Sequence, residues 1–407
     1  MTVETENPFR ISGTVHGKFF TDRDAELARI QAALREPSHK LLLYGPRRIG
    51  KTSTLANAVA AVNAKKGKAF MADLSTVTTI ADMANKVMTG ASAVLGRSAT
   101  RWIRDLAGRL QFAIKMTPDP TTGLVLPSLD VTARYATRED QQRALESVLD
   151  SLDGLAAQRG VTLGLVFDEF QEIGRLGGDS VEWHLRGVMQ RHQHLSYVAA
   201  GSKPSLLTAM VGKGRAFYQL FTPLHFRPID RDHLAEWIDS RIESCGLVPD
   251  GAGATCVAWA GPRTRDIVRL ARKCVDRAQK GGRIGTDAVM AAFLEIIDED
   301  ADFFQTSWAN CTASQQNVLR AVAGAPQGLT TKAVRTRFGL DATGTVTNAL
   351  TAFVRQDRLV RTAFGSTYAF DNPYERGWVI TRTLADIGIV EAPTYVASPT
   401  SEYDETR

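Results

Sequence analysis

The stretch Leu41-Leu-Leu-Tyr-Gly45-Pro-Arg-Arg-Ile-Gly50-Lys51-Thr52 constrains this chain more than any other part of it. Its first four residues form an unbroken apolar run that suits a short buried strand, and TSTLANAVAAVNA, from Thr52 to Ala64, suits a helix. The turn between them fits G-x-x-x-x-G-K-[ST]. A strand that passes through a glycine turn straight into a helix gathers backbone N–H groups, and the helix's positive end, around one point. That point suits a phosphate. On this reading Gly45, Pro46, Arg47, Arg48, Ile49, Gly50, Lys51, Thr52 and Ser53 cradle a nucleotide. Lys51 reaches its β- and γ-phosphates, and the Thr52 hydroxyl ligates Mg²⁺.

A second signal is Leu163-Gly-Leu-Val-Phe-Asp168-Glu169. Asp168 closes a strongly apolar strand, Thr162–Phe167, where a carboxylate beside such a loop is wanted to coordinate Mg²⁺. Glu169 then serves as the general base that polarises the attacking water. The following strand, Ser196–Gly201, ends at Ser202, whose hydroxyl suits a γ-phosphate sensor or a plain turn. Three arginines are candidates to stabilise transferred charge: Arg265 and Arg263 in AGPRTRDIVRL, and Arg215 in GKGRAFYQ as a finger toward a neighbouring subunit. An ordinary surface arginine fits each as well. Phe19, Phe20 and Arg23 stack on adenine or pack in a core. His184, His192 and His194 share one helical stretch and its exit, and read as a solvated face.

The organisation around these motifs is an alternation of helices and strands. A helix over Asp22–Leu34 precedes the strand Leu41–Tyr44; strand Ala69–Leu74 and helices Thr79–Leu95, Arg101–Leu110 and Arg138–Arg159 follow, with a last strand at Tyr218–Phe226. Such alternation predicts a parallel sheet covered by helices. QFAIKM and GLVLPSLDVT, either side of PDPTTG, predict a hairpin inserted at about 111–132. Beyond Pro228 the pattern is helical: Asp230–Ser244, Gly253–Ala260, Thr264–Gln279 and Gly285–Phe304. From Thr312 come helices Thr312–Ala323, Thr330–Phe338 and Asp341–Gln356, the last N-capped by Asp341, then short strands in LVRTAF and STYAF. That is a winged-helix order. Val346, Leu350 and Phe353 point inward, leaving Thr345, Thr347, Asn348, Thr351 and Arg355 for a groove, with Lys332, Arg335, Arg337, Arg358 and Arg361 for phosphates. The expected domains are 1–228, 229–311 and 312–385, with a flexible acidic tail over 386–407.

Composition narrows the partners. The chain has 407 residues, 49 Lys+Arg against 44 Asp+Glu and 44% apolar residues, which excludes a disordered chain. No apolar run is long enough to span a membrane, and MTVETENPFR has no targeting pattern. Cys245, Cys256, Cys274 and Cys311 form no C-x-x-C pair, so no zinc site or disulfide framework is signalled and a reducing cytoplasm is expected. The net charge of +5 is uneven: residues 312–370 carry seven Lys+Arg and two Asp+Glu, whereas 371–407 carry three and seven. The winged-helix segment is therefore basic for its size.

The order FFTDRDAELARI, LLLYGPRRIGKTS, LGLVFDEFQEI, YVAAGSKPSLL, TPLHFRPIDRDHLAEWI and AGPRTRDIVRLA resembles the archaeal-type ATPases of the AAA+/STAND P-loop NTPases. ASQQNVLRAVA, ATGTVTNALTAFVRQDRLV and YAFDNPYERGWV are similar to the winged-helix tail common there, and replication-initiator ATPases share the order more distantly. The resemblance implies an α/β P-loop fold of the additional-strand type, with an extra strand between the loop strand and the Asp-Glu strand, followed by a helical lid and a winged-helix domain. It implies Glu169 as the water-activating residue, Ser202 as first sensor and Arg265 as second, with Arg263 as another register. The expected function is hydrolysis of ATP to ADP and phosphate with Mg²⁺, coupled to a winged helix that meets double-stranded DNA through 312–370. The competing expectation is a nucleotide-dependent signalling switch with little turnover, whose winged helix docks a protein partner or a second copy.

Overall fold

A computed structural model describes residues 7–107, 114–118, 125–129, 137–202, 210–361 and 367–387. The chain divides into two compact units, one of residues 22–227 and one of residues 1–21 with 228–407.

The 22–227 unit is built on α1 (Asp24–Arg35), β1 (Lys40–Tyr44), α2 (Lys51–Ala64), β2 (Lys68–Asp73), α3 (Ile80–Leu95), α4 (Ala99–Ala107), the β3–β4 pair (Ile114–Pro118 and Val125–Leu129) and α5 (Arg138–Gln158). After these come β5 (Leu163–Asp168), α6 (Ile173–Gly177), α7 (Asp179–Arg191), β6 (Leu195–Gly201) and β7 (Thr222–His225). Five strands form one parallel sheet in the order β2-β5-β6-β1-β7. β6 therefore lies between β1 and β5, as the additional-strand fold requires. Alternate residues serve opposite faces. Leu41, Leu43, Val166 and Val198 pack with α1 and α2 on one side. Leu42, Leu165, Phe167 and Tyr197 pack with α3, α5 and α7 on the other. Both faces are covered, so the strands read as continuous apolar runs rather than alternating ones.

Differences from the sequence reading have local causes. β7 spans only Thr222–His225, because the chain before it turns through Gln219 at positive φ; Pro223 is tolerated on this edge strand. The inserted hairpin is present as an antiparallel pair with Ile114 opposite Leu129, beside α3. Its turn and flanks lie outside the described residues, as do 388–407. His192 does not lie on a solvated face. It is buried at the exit of α7, with Nδ1 2.5 Å from the Tyr197 hydroxyl and Nε2 2.8 Å from Asp150 Oδ1. Burial pushes the Tyr197 phenol well above its ordinary range, so the hydroxyl stays protonated beside the ring.

The other unit contains α8 (Arg231–Glu243), α9 (Ala252–Ala260), α10 (Thr264–Arg277), α11 (Thr286–Glu299), α12 (Ala301–Ala309), α13 (Ala313–Gly324), α14 (Lys332–Phe338), α15 (Thr343–Arg355), β10 (Leu359–Arg361), β11 (Tyr368–Phe370) and α16 (Pro373–Thr383). Two-residue strands β8 (Val248–Pro249) and β9 (Arg283–Ile284) pair in parallel between them. One apolar core runs through the unit, from Ile238 and Phe293 to Leu319, Phe353 and Trp378. The single helix expected over Gly285–Phe304 is instead broken at Asp300. Three successive carboxylates, Asp298 to Asp300, oppose the negative end of α11, and Asp300 is held at 2.6 and 3.0 Å by Arg269. Asp341 does not cap α15. The cap position is Ala342, without a side-chain bond, and the Asp341 carbonyl accepts from Arg335 Nε at 3.1 Å. Among the described residues no helix is long and apolar enough to cross a membrane.

The buried Tyr197–His192 pair yields a stability prediction. Tyr197→Phe leaves a buried imidazole nitrogen unpaired and is expected to cost about 1–3 kcal/mol in urea unfolding. The double variant with His192→Phe is expected to cost less than the sum of the singles. Strict additivity would show that the two side chains do not interact.

Candidate functional site

The glycine turn forms between β1 and α2 because its residues supply the backbone it needs. Gly50 is left-handed at φ 98°, a conformation glycine takes without strain. Gly45 passes so close to β7's exit that a Cβ there would sit 2.2 Å from the Phe226 carbonyl oxygen. Lys51 is buried and its ammonium turns back into the loop, donating to the Gly45 carbonyl at 3.0 Å and to the Pro46 carbonyl. The loop thus ends at the N-terminus of a helix with a lysine coiled inside it, the charge pattern of an anion cradle.

β5 delivers Asp168 and Glu169 beside that loop. Thr52 Oγ1 donates to Asp168 Oδ2 at 2.7 Å across 116 positions of sequence. Asp168 is 2% exposed, and burial raises its carboxyl above the ordinary carboxylate range. The Thr52 hydroxyl opposes this rise, and the charges of Glu169 and Asp73 add to it. Glu169 follows with φ 53°, a strained choice for a non-glycine residue that turns the chain into a short 3₁₀ segment. Its Oε2 accepts from Ser202 Oγ at 2.7 Å and from Gln171 Nε2. Arg47 Nε donates to Ser202 Oγ at 3.3 Å. One hydrogen-bonded chain therefore runs from the loop, through the end of β6, to the carboxylate after β5.

Residues beyond the motifs complete the frame. Gln171, which the sequence reading passed over, is 4% exposed, and its Oε1 has no hydrogen-bond partner. Its signal was the spacing, a glutamine two residues past the glutamate. Arg23 is buried beneath the loop, its guanidinium 4.0 Å from the Phe226 ring centre and its Nη2 donating to the Ile49 carbonyl at 3.1 Å. It supports the loop from below. Phe19 is faced instead by Arg10 and Lys18 within the other unit.

The remaining arginines separate clearly. Arg215 is 2.9 Å from Asp179 and 3.5 Å from the buried Glu182, both on α7. Arg263 is buried and donates both terminal nitrogens to Asp371. Arg265, two residues on, is exposed in the first turn of α10. In the C-terminal helices, Val346, Leu350 and Phe353 of α15 are buried, while Thr345, Thr347, Asn348, Thr351 and Arg355 are exposed. Lys332, Arg337 and Arg361 are exposed near them. Arg358 departs from the sequence reading: its guanidinium is largely covered and paired with Glu375 at 2.6 and 3.0 Å, an ion pair rather than a phosphate contact.

The residues present fit a Mg²⁺–nucleotide. A hydroxyl and a carboxylate, both hard oxygen donors, meet at the mouth of the cradle. Among the described residues no group of three His, Cys, Asp or Glu side chains suits a metal by itself. The raised carboxyl gives a signed prediction. A carboxyl whose folded pKa exceeds its unfolded value costs stability as pH rises past the unfolded value, and the cost is complete above the folded one. Asp168→Asn, whose amide the Thr52 hydroxyl can turn to accept, is expected to raise the melting temperature of the nucleotide-free protein at pH 7. The gain expected by calorimetry is roughly 2–4 °C, the shift about 1 kcal/mol produces at this size. A lower melting temperature would refute the assigned cause.

A family model described as an ATPase domain predominantly from Archaea matches residues 20–244. Among solved structures, the Walker-type ATPase of Pyrococcus abyssi superposes with a TM-score of 0.59 at 15% identity, over 91% of this chain and 99% of that one. The ORC2 protein of Aeropyrum pernix, solved in ADPNP–ADP complexes, superposes with a TM-score of 0.54 at 13% identity, over 91% and 96%. At such identities the likeness is one of fold. A search of curated protein sequences finds no significant match. More than half of the sequence lies within the family match, and the chain belongs to the family of ATPase domains found predominantly in Archaea.

Proposed function

We propose that the protein binds ATP in the Gly45–Ser53 cradle and hydrolyses it, and that its nucleotide state controls a C-terminal winged helix that contacts double-stranded DNA. The observation that carries the first half is the 2.7 Å contact between Thr52 and Asp168, with Glu169 as the next residue. Lys51 leaves its loop carbonyls for the β- and γ-phosphates, a better partner for an ammonium than neutral oxygens. Glu169 orients the attacking water and takes its proton. Ser202 holds Glu169 in place. Arg265, exposed at the start of α10, is assigned the second-sensor role, and Arg263, committed to Asp371, is not. Mg²⁺, when bound, offsets phosphate charge, and Thr52 and Asp168 are the residues that would hold it. The four cysteines stand unpaired, which supports a reducing compartment such as the cytoplasm.

The second half rests on α15. Short polar side chains and Arg355 occupy its exposed face, flanked by Lys332, Arg337 and Arg361. Small hydroxyl and amide groups suit base edges, and the surrounding cations suit phosphates. The helix–helix–helix–ribbon order of α13, α14, α15 and β10–β11 is the one a winged helix has.

Two measurements test the halves separately. Glu169→Gln is expected to lower phosphate release about 10²–10⁴-fold while nucleotide still binds, and Lys51→Ala is expected to abolish binding. Release by Glu169→Gln equal to wild type, with and without DNA, would leave only the low-turnover switch. For DNA, Arg355→Ala is expected to weaken duplex binding and to reduce the slope of log K against log salt by about one. No duplex affinity at low salt would remove DNA as the partner and favour a protein.

A further inference from the structure

Arg47 lies in the middle of the glycine turn, two residues after Gly45, and points across it. Its Nε donates to Ser202 Oγ at 3.3 Å, and that hydroxyl donates to Glu169 Oε2 at 2.7 Å. The same Glu169 oxygen accepts from Gln171 Nε2. Glu169 Oε2 is thus already a double acceptor. A guanidinium stands one hydroxyl away from it. Arg48 beside it is exposed. Arg215 and Arg263 are engaged with carboxylates elsewhere, and Arg265 is exposed in the first turn of α10.

We propose that Arg47 reads the terminal phosphate of the bound nucleotide in cis and, through Ser202, sets Glu169 for catalysis. This rests on the ATP-hydrolysing reading above and specifies how that site tells ATP from ADP. A terminal phosphate is anionic and multiply accepting, and competes for a guanidinium far better than a neutral hydroxyl does, since charge-assisted bonds are roughly twice as strong. While Arg47 donates to Ser202, it polarises that hydroxyl toward Glu169 and strengthens the grip on the carboxylate. Drawing Arg47 onto the phosphate weakens the Ser202–Glu169 bond and leaves Oε2 to accept from water. In the reaction the water oxygen bonds to phosphorus as the bridging P–O bond breaks. The electron pair stays on ADP, and the water proton goes to Glu169. Arg47 then opposes the charge that builds on the phosphoryl oxygens. ADP has no terminal phosphate to attract Arg47, so the guanidinium returns to Ser202 and the carboxylate is held again.

The test compares the wild-type chain with Arg47→Ala, Arg47→Lys and Lys51→Ala, using fluorescent ATP and ADP analogues for affinity, phosphate release for turnover and thermal melting for folding. Arg47→Ala is expected to lower kcat about 10²–10³-fold, the effect of removing one preorganised donor, with a much smaller change in KM. The ratio of ATP to ADP affinity is expected to fall toward one. Arg47→Lys is expected to restore part of that ratio but little of kcat, because an ammonium lacks the planar fork. Arg47→Ala with wild-type kcat and wild-type nucleotide preference would overturn the proposal. So would an equal loss of both affinities together with a lowered melting temperature, the signature of a structural role. If Lys51→Ala abolishes binding while Arg47→Ala behaves as wild type, the ATP site stands and the Arg47 relay falls. If neither variant changes binding or turnover, the ATP-hydrolysing reading itself fails.

Discussion

The contacts that join the glycine turn to Asp168, Glu169 and Ser202 depend on three parallel strands ending almost level with one another. The register pairs Tyr44 with Gly201 across β1 and β6, and Phe167 with Ala199 across β6 and β5. Gly45, Ser202 and Glu169 therefore emerge together at the carboxyl end of the sheet although more than 150 residues of chain separate the first from the second. Parallel pairing is what achieves this, since it sends every connection over a face and leaves all carboxyl ends together. Asp168 bears the cost. A carboxylate buried there loses its water, and that burial is the main cause that raises its pKa. The Thr52 hydroxyl and the Glu169 N–H compensate in part.

Much of this was legible in the residues. Unbroken apolar runs ending in Gly45, Asp168 and Gly201 identified strands with chemistry at their ends, because a strand buried on both faces has no alternation to hide. The P-loop was legible for a different reason: its glycines and lysine answer to backbone geometry, which leaves a strict spacing. What escaped the reading depends on partners far away in sequence. Arg358 has the sequence setting of a phosphate contact but pairs with Glu375, and His192 has that of a solvated face but lies between Tyr197 and Asp150. Asp341 had the residue type of a cap but lies one position too early. The break at Asp300 required Arg269, 31 positions upstream, to hold the turned-out carboxylate. In each case the local preference was real and a tertiary contact decided the outcome.

The C-terminal helices show how charge counting and charge placement differ. Of the seven cations between 312 and 370, Arg358 and Arg320 are turned inward, the latter to Asn317 and the Thr383 carbonyl. Lys332, Arg337, Arg355 and Arg361 remain at the surface. The acidic residues after 370 are likewise not a uniform tail. Asp371 and Glu375 are used up in pairs with Arg263 and Arg358. The segment's net charge therefore understates how sharply its exposed cations are localised.

Arg23 and Phe226 carry a mechanical meaning that neither residue has alone. The chain passes between its two units twice, after Thr21 and after Arg227. Arg23 stands two positions past the first passage and Phe226 two before the second, and the guanidinium lies on the ring. Both tethers are thus knotted to each other inside the nucleotide unit, and the knot is tied to the Ile49 carbonyl of the loop. One side chain, Arg23, therefore both links the two crossings and holds the loop.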